Sequence, residues 1–366
     1  MKRKITRRDA LALGGAALGS AVLAACGGGG LGSSGGGSGK KNPVNVRMFV
    51  FLGGNLGVMP KAFAKEYMAA HPNVTIDIYE DSNLVGYPKM VAAKRTTPDQ
   101  PFVNLGFFNA QTSVLGDTDD MWNALDYSAM PNSKDIAPAL RRDNKKGIGI
   151  GADQVGILYN PSVIPSAPTS WADVWDPKYA GKLSLFDYWW YVVFAAAKLN
   201  GGGLTNMDPG WSLWRSHAKQ IRALVSSNPQ WQDILSNGTS SITSCFNGTG
   251  LQFKKNGAPV AYSVPKEGAI PIPVYLQSVK GNTKDQQEVC QDIINEMISP
   301  KWCAQWAETS IEAPANVKSQ LSAELSGLPA FSKATIEKLL PIDWTIPAKN
   351  NTEWRQKWDQ NIKANI

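Results

Sequence analysis

Val44-Asn45-Val46-Arg47-Met48-Phe49-Val50-Phe51-Leu52, the segment Val58 to His71, and Val74-Thr75-Ile76-Asp77-Ile78-Tyr79 together decide the fold. The first is an extended apolar run. The second has helical spacing, with Phe63, Tyr67 and Met68 on one face and Pro72 as its stop. The third alternates Val, Ile and Ile against Thr, Asp and Tyr, the period of a strand. Tyr87 to Lys94 again has helical spacing, and Val103 to Phe108 reads as strand. A β-α-β-α-β order predicts a mostly parallel sheet with helices on its faces.

A second set begins near Gly147. Gly149 to Asn160 reads as one extended stretch. Ser170 is placed to cap a short helix over Trp171 to Trp175, which Asp176-Pro177 ends. Lys182 to Phe186 reads as a strand, and Tyr191 to Leu199 as a helix closed by Gly201-Gly202-Gly203. Trp211 to Ser226 reads as helix and Ala258 to Val264 as strand. Lys284 to Ile298 and Pro300 to Glu308 read as helices, the second opened by its proline. The C-terminal segment is mainly helical in pattern. Two α/β units of similar size predict a bilobal α/β protein. Open α/β sheets bind ligands beyond the carboxyl ends of their strands, so the site is expected in the cleft between the lobes.

The N-terminus speaks to location. Lys2, Arg3, Lys4, Arg7 and Arg8 precede an apolar run from Ala10 to Ala25, the layout of a signal peptide over residues 1–25. That run is too short for a membrane span, which takes about 20 apolar residues. Arg7-Arg8 after Thr6 favours the twin-arginine export route over the general secretory one. Leu23-Ala24-Ala25-Cys26-Gly27 resembles the bacterial lipobox, which implies lipidation of Cys26. Gly27 to Gly39 is almost all Gly and Ser, a flexible tether with a reach of about 20 Å. Residues 26–42 thus read as anchor and linker, and the expected location is the cell envelope, periplasmic or on the outer face of the cytoplasmic membrane.

The net charge of +7 overstates the basicity of the body. Five basic residues and one acid stand in the signal segment, so the rest carries only +3. That weak bias gives no argument for nucleic acid. Of the four cysteines, Cys245, Cys290 and Cys303 remain after Cys26. Cys290 and Cys303 lie on successive predicted helices, where a disulfide and two buried thiols are both open. No CxxC or His-rich spacing supports a metal site, and no motif asks for a cofactor.

Thr169-Ser170-Trp171-Ala172-Asp173-Val174-Trp175-Asp176-Pro177-Lys178-Tyr179-Ala180-Gly181-Lys182 resembles a block of the bacterial type II solute-binding proteins. The branch includes spermidine/putrescine-binding proteins and some iron- and phosphonate-binding relatives. Gly156 to Asn160, Asn247-Gly248-Thr249, Gly257 to Val260, Val264-Pro265-Lys266-Glu267-Gly268, Ser299-Pro300, Pro314 and Asn316 carry the same likeness, over residues 44 to 320. The resemblance implies a bilobal periplasmic-binding-protein type II fold, with two mixed or parallel-sheet lobes joined by a two-strand hinge. Lobe 1 is expected over 43–154 plus 265–314 and lobe 2 over 155–264 plus 315–366. It implies capture of a small solute by a monomer and delivery to the transmembrane subunits of an ABC permease, with the membrane reached through the lipid.

Residues just after strands are the binding candidates. Gly54 and Asn55 follow the first strand; Asn109 and Gln111 follow another. Asp153 and Gln154 stand near the first crossing, and Asn247 and Thr249 in the Asn-Gly-Thr turn. Asp187, Tyr188, Trp189 and Tyr191 follow the strand ending at Phe186. In polyamine binders the matching turn is acidic; here Tyr188 and Tyr191 replace the acids, and Ile270-Pro271-Ile272-Pro273-Val274 replaces a later aromatic and aspartate. Ammonium groups need paired carboxylates once desolvated, so polyamine is disfavoured as ligand. Tyr and Trp faces suit a solute with at most one positive charge. Glu267 reads as a turn-holding residue.

The competing class is a lipid-anchored extracytoplasmic hydrolase on the same scaffold. His71 and His217 are the only histidines, neither belongs to a triad or metal pattern, and no Gly-x-Ser-x-Gly elbow occurs. The chain is therefore read as a binding protein without catalytic residues. An adhesin or scaffold would need no cleft between lobes.

Overall fold

Val44, Val46 and Met48 are buried along the first strand while Asn45 and Arg47 are exposed, the alternation their sequence predicts. The computed structural model describes residues 42–52 and 55–366. The signal segment, Cys26, the Gly/Ser linker and Gly54 lie outside the described residues. The strands are β1 Val44–Phe51, β2 Val74–Asp81, β3 Leu105–Asn109, β4 Ile148–Tyr159, β5 Leu183–Phe186, β6 Ile221–Val225, β7 Ile242–Phe246, β8 Ala261–Ser263, β9 Ile270–Ser278 and β10 Ala313–Pro314. The helices are α1 Val58–Ala70, α2 Asn83–Thr96, α3 Ala110–Thr118, α4 Trp190–Leu199, α5 Asp208–His217, α6 Asn228–Ser236, α7 Asn247–Lys255, α8 Lys284–Met297, α9 Pro300–Ser310, α10 Ala323–Ser326, α11 Lys333–Glu337 and α12 Thr345–Asn361.

The strands join in one mixed sheet ordered β2-β1-β3-β9-β4-β7-β5-β6, with β8 and β10 also on β4. Pairs β1–β2, β1–β3, β5–β6 and β5–β7 are parallel, as βαβ crossovers require. β9 and β4 run antiparallel through the middle. Two hydrophobic cores flank that middle. Ile148, Ile150 and Ala152 of β4 belong to the first core, and Val155, Ile157 and Leu158 to the second. β9 passes between them from Ile270 to Val274.

The third passage falls later in the chain than expected. Leu325, Phe331, Ile336 and Leu339 pack in the first core, whereas Leu340, Trp354, Trp358 and Ile362 pack in the second. The chain therefore returns at Leu339–Leu340 rather than at residue 315. Leu340 N–H bonds the Ala269 carbonyl at 2.9 Å, so the third passage lies against the second.

Two further segments differ from expectation. The helix expected over Trp211 to Ser226 stops at His217, and Ile221–Val225 is a strand parallel to β5. Its buried ends Ile221 and Val225 complete the second core, which outweighs the helical spacing. β9 carries Pro271 and Pro273 in a central position, where proline is normally excluded. β3 pairs with β9 only from Val274 onward, so one side of the strand is open at both prolines. Cys245, Cys290 and Cys303 are buried free thiols, which answers the open question about Cys290 and Cys303.

The Trp-Asp-Pro block sits at the joint. Ser170 caps the turn Trp171–Trp175 with Asp173 closing a capping box. Glu267 accepts bonds from Ser170 Oγ at 2.6 Å and from Trp171 N–H at 3.1 Å, and Trp171 Nε1 donates to the Gly268 carbonyl at 2.9 Å. Gly268 has φ +107° and a Cβ there would lie 2.4 Å from the Lys338 carbonyl, so only glycine fits. Glu267→Ala strands two donors of this joint. It is expected to cost about 1–3 kcal/mol, read as a lower urea midpoint at unchanged slope; an unchanged midpoint would show that Glu267 holds nothing.

Candidate functional site

The carboxyl ends of β1, β3, β5 and β7 each lead into a helix; the segment before α1 and the starts of α6 and α7 meet at the gap between the two cores. A cavity of about 670 Å³ opens there. Asn55, Leu56 and Thr309 to Glu312 line it from the first half; Gly248, Thr249, Gln252 and Phe253 line it from the second; Asp153 sits between them.

Asp153 lies at the midpoint of β4. Its Oδ1 accepts N–H bonds from Gln154 at 2.7 Å and from Gly248, in the first turn of α7, at 3.1 Å. The start of α7 offers it a favourable dipole. Burial nevertheless pushes its carboxyl up to about 6, against those bonds. A Cβ on Gly248 would meet Asp153 Oδ2 at 3.2 Å, so glycine permits this approach.

Glu312 stands close to it. Its Oε2 accepts the Trp306 Nε1 donor at 2.9 Å. Burial, and then the charge of Asp153, push its carboxyl up to about 8. No basic side chain among the described residues opposes these rises. Ile311, just before it, adopts the left-handed conformation at φ +61°. That conformation is a strained one for a β-branched residue, of order 1–2 kcal/mol, and such strain gathers at functional sites. Tyr191, expected at the site, instead packs against the second core outside the cavity lining, 6.2 Å from Phe246 between ring centroids, and the Asp153 charge adds to the upward shift that burial gives its hydroxyl.

The expected residues divide. Asn55, Asp153 and Thr249 line the cavity, and Asn247 is buried in the first turn of α7 beside them. Asn109 instead caps α3, accepting from Thr112 N–H at 2.8 Å, and Gln111 is exposed on that helix. Gln154 is fully buried on the opposite face of β4, where its Nε2 donates to the Ala330 carbonyl at 2.7 Å; successive strand residues face opposite ways. Asp187 is turned to the C-terminal helix, accepting from Arg355 Nη2 at 3.0 Å, Trp358 Nε1 at 3.1 Å and Lys363 Nζ at 2.9 Å. Burial alone would raise its carboxyl; Lys363 and Arg355 hold it below the usual range. Tyr188 bonds Asn351 and covers Arg355, and Trp189 is core, with Nε1 on Ser244 Oγ at 3.1 Å. Glu312 was missed. Glu312 stands two residues before Pro314, so the family likeness ran past its position without marking it.

A larger cavity of about 890 Å³ lies between α3 and α12. Its acids are already paired, Asp208 and Glu353 with Lys357 and Asp117 with Arg142. The smaller cavity, where the buried carboxylates of Asp153 and Glu312 lack a basic partner among the described residues, is the candidate site.

This arrangement, two cores joined by crossing strands with a cavity between them, is that of a protein that encloses a small molecule. The chain belongs to the bacterial extracellular solute-binding protein family, whose model matches residues 108–331. It is 28% identical over 166 residues to the spermidine/putrescine-binding periplasmic protein of Escherichia coli K12, a match spanning 43% of this chain and just under half, 46%, of that relative. Its fold is that of an ABC transporter structure from Clostridium perfringens ATCC 13124, with a TM-score of 0.73 at 17% identity over 88% of this chain and 100% of the other. It is also that of the binding protein AttC of Agrobacterium tumefaciens C58 in an open unliganded conformation, with a TM-score of 0.74 at 18% identity over 87% and 99%.

The two raised carboxyls set a pH dependence. The folded chain keeps a proton on Asp153 up to about 6 and on Glu312 up to about 8, against 3.8 and 4.5 for the free groups. The folded state thus binds more protons than the unfolded one across these windows, and stability falls as pH rises through them. The melting temperature of ligand-free protein is expected to drop between about pH 5 and pH 8. Glu312→Gln should remove the upper part of that drop; an identical profile in the variant would refute the burial of its charge.

Proposed function

We propose that this chain captures a small organic solute bearing one positive charge and delivers it to the transmembrane subunits of an ABC importer. The observation that carries the reading is the Asp153–Glu312 pair, withdrawn from water in a cavity between the two halves with no basic partner among the described residues. A buried carboxylate without a counter-ion is costly, and a cationic guest supplies one. With Glu312 protonated near neutral pH, the pair carries about one negative charge. Asp233, which also lines the cavity, is exposed and holds a cation weakly. That residue, with the names of the relatives, favours spermidine or putrescine as the second reading.

His71 and His217 lie away from the cavity, which supports binding over hydrolysis. Closure of the halves on the solute would follow the hinge pattern of two-core proteins. Leu23 to Cys26 and the glycine-rich tether support lipid anchoring of a monomer outside the cytoplasmic membrane.

A thermal-shift screen over monoamines, quaternary amines, amino acids, sugars, phosphonates, putrescine and spermidine tests the solute class. A singly charged amine is expected to stabilise the chain, by about 2.7 kcal/mol at 100 times its dissociation constant. Asp153→Asn should abolish that response, and X-ray scattering should show compaction on saturation. Tighter binding of spermidine than of any monoamine would replace the first reading by the second; a response only to anions or sugars would end both. Cys26→Ala should move the expressed protein from the membrane fraction to the soluble one, and retention at the membrane would remove the lipid anchor from the account.

A further inference from the structure

His71, Asp292 and Glu296 come together away from the solute cavity. His71 closes α1 just before Pro72, and Asp292 and Glu296 stand four residues apart on α8, hence on one face of it. One donor atom from each lies within 4.8 Å of the other two. We propose that these three side chains bind a Zn²⁺ ion that clips the end of α1 to α8.

The ligands are oriented beforehand by one residue. His71 Nδ1 lies 3.0 Å from the Tyr67 carbonyl, which only accepts, so this nitrogen carries the proton and Nε2 presents its lone pair. The His71 ring is stacked on Tyr67 at 4.0 Å and 22°, which fixes its plane. The Tyr67 hydroxyl donates to Asp292 Oδ2 at 2.7 Å, leaving Oδ1 for a metal. A ligand histidine with its other nitrogen on a carbonyl, and a ligand carboxylate held by a hydroxyl, is the support that metal sites use.

The charges point the same way. Asp292 and Glu296, like charges four residues apart on one helix face, repel each other at this spacing. The nearby Lys301 is engaged by Glu66 and forms no ion pair with either acid. Tetrahedral zinc with bonds of about 2.1 Å sets its ligands about 3.4 Å apart. The three donor atoms, all within 4.8 Å of one another, approach that spacing. One imidazole nitrogen and two carboxylate oxygens, with water in the fourth place, suit Zn²⁺; Ca²⁺ and Mg²⁺ prefer oxygen alone.

Calorimetric titration of the full-length chain with Zn²⁺, in a Cys26→Ser background so that no accessible thiol competes, tests the site. One saturable site is expected, undisturbed by Ca²⁺ at the same concentration. Glu296→Gln and His71→Ala should each weaken it at least tenfold, and Tyr67→Phe, which frees Asp292 without removing a ligand, about tenfold. Metal-free melting curves of the variants establish that each is folded; should His71→Ala fail to fold, the isosteric Glu296→Gln decides alone. No saturable binding, displacement by Ca²⁺, or unchanged affinity in a folded variant of His71 or Glu296 would overturn the proposal.

Discussion

One strand belongs to both halves of the molecule, and its register determines what the cavity contains. β4 pairs with β9 and β10 where it crosses the first core and with β7 and β8 where it crosses the second. Asp153 and Gln154 stand at the changeover and face opposite ways. A slip by one residue would bring Gln154 to the cavity and drive the Asp153 carboxylate against the Ala330 carbonyl. The hydrophobic residues on either side forbid that slip, since Ile150 and Ile157 would leave their cores together. The apolar pattern of the strand thereby fixes the position of a charge.

That charge is held in deficit. Three backbone and side-chain donors meet Asp153 and Glu312, but no cation does. Ile311 holds a strained backbone conformation beside them, and Gly248 gives up its side chain to let α7 approach. The uncompensated carboxylates and the strained backbone each disfavour this fold slightly. Asp187 shows the contrast: an acid in the neighbouring turn, saturated by Arg355, Trp358 and Lys363, ties α12 to the second core and has nothing left to offer a guest.

Much of the architecture was legible from residue periodicity, because β1, α1 and β2 each bury one face and expose the other. Parts governed by the neighbours of a segment were not. Ile221 to Val225 continues a helical spacing and becomes a strand because β5 offers an unpaired edge. β9 hides behind two prolines, whose cost vanishes only because β3 stops short of them. The site was half legible for a similar reason. Asn55 and Thr249 follow from the rule about strand ends and Asp153 from its place at the first crossing, whereas Asp187 was misread because its partners lie some 170 positions away. Glu312 reaches Asp153 only through the fold, and no local pattern marks it.

The order of the three passages bears on biosynthesis. Trp354, Trp358 and Ile362 of the second core come from the last helix, while the first core draws on residues from Val44 to Leu339. Neither half is a continuous length of polypeptide, so neither is complete while the nascent chain is still emerging. The second half must wait for the segment that carries Trp354, Trp358 and Ile362. Any export machinery that takes only folded cargo would therefore engage this protein after Ile362 has emerged, and one that threads unfolded chains could act at any time before.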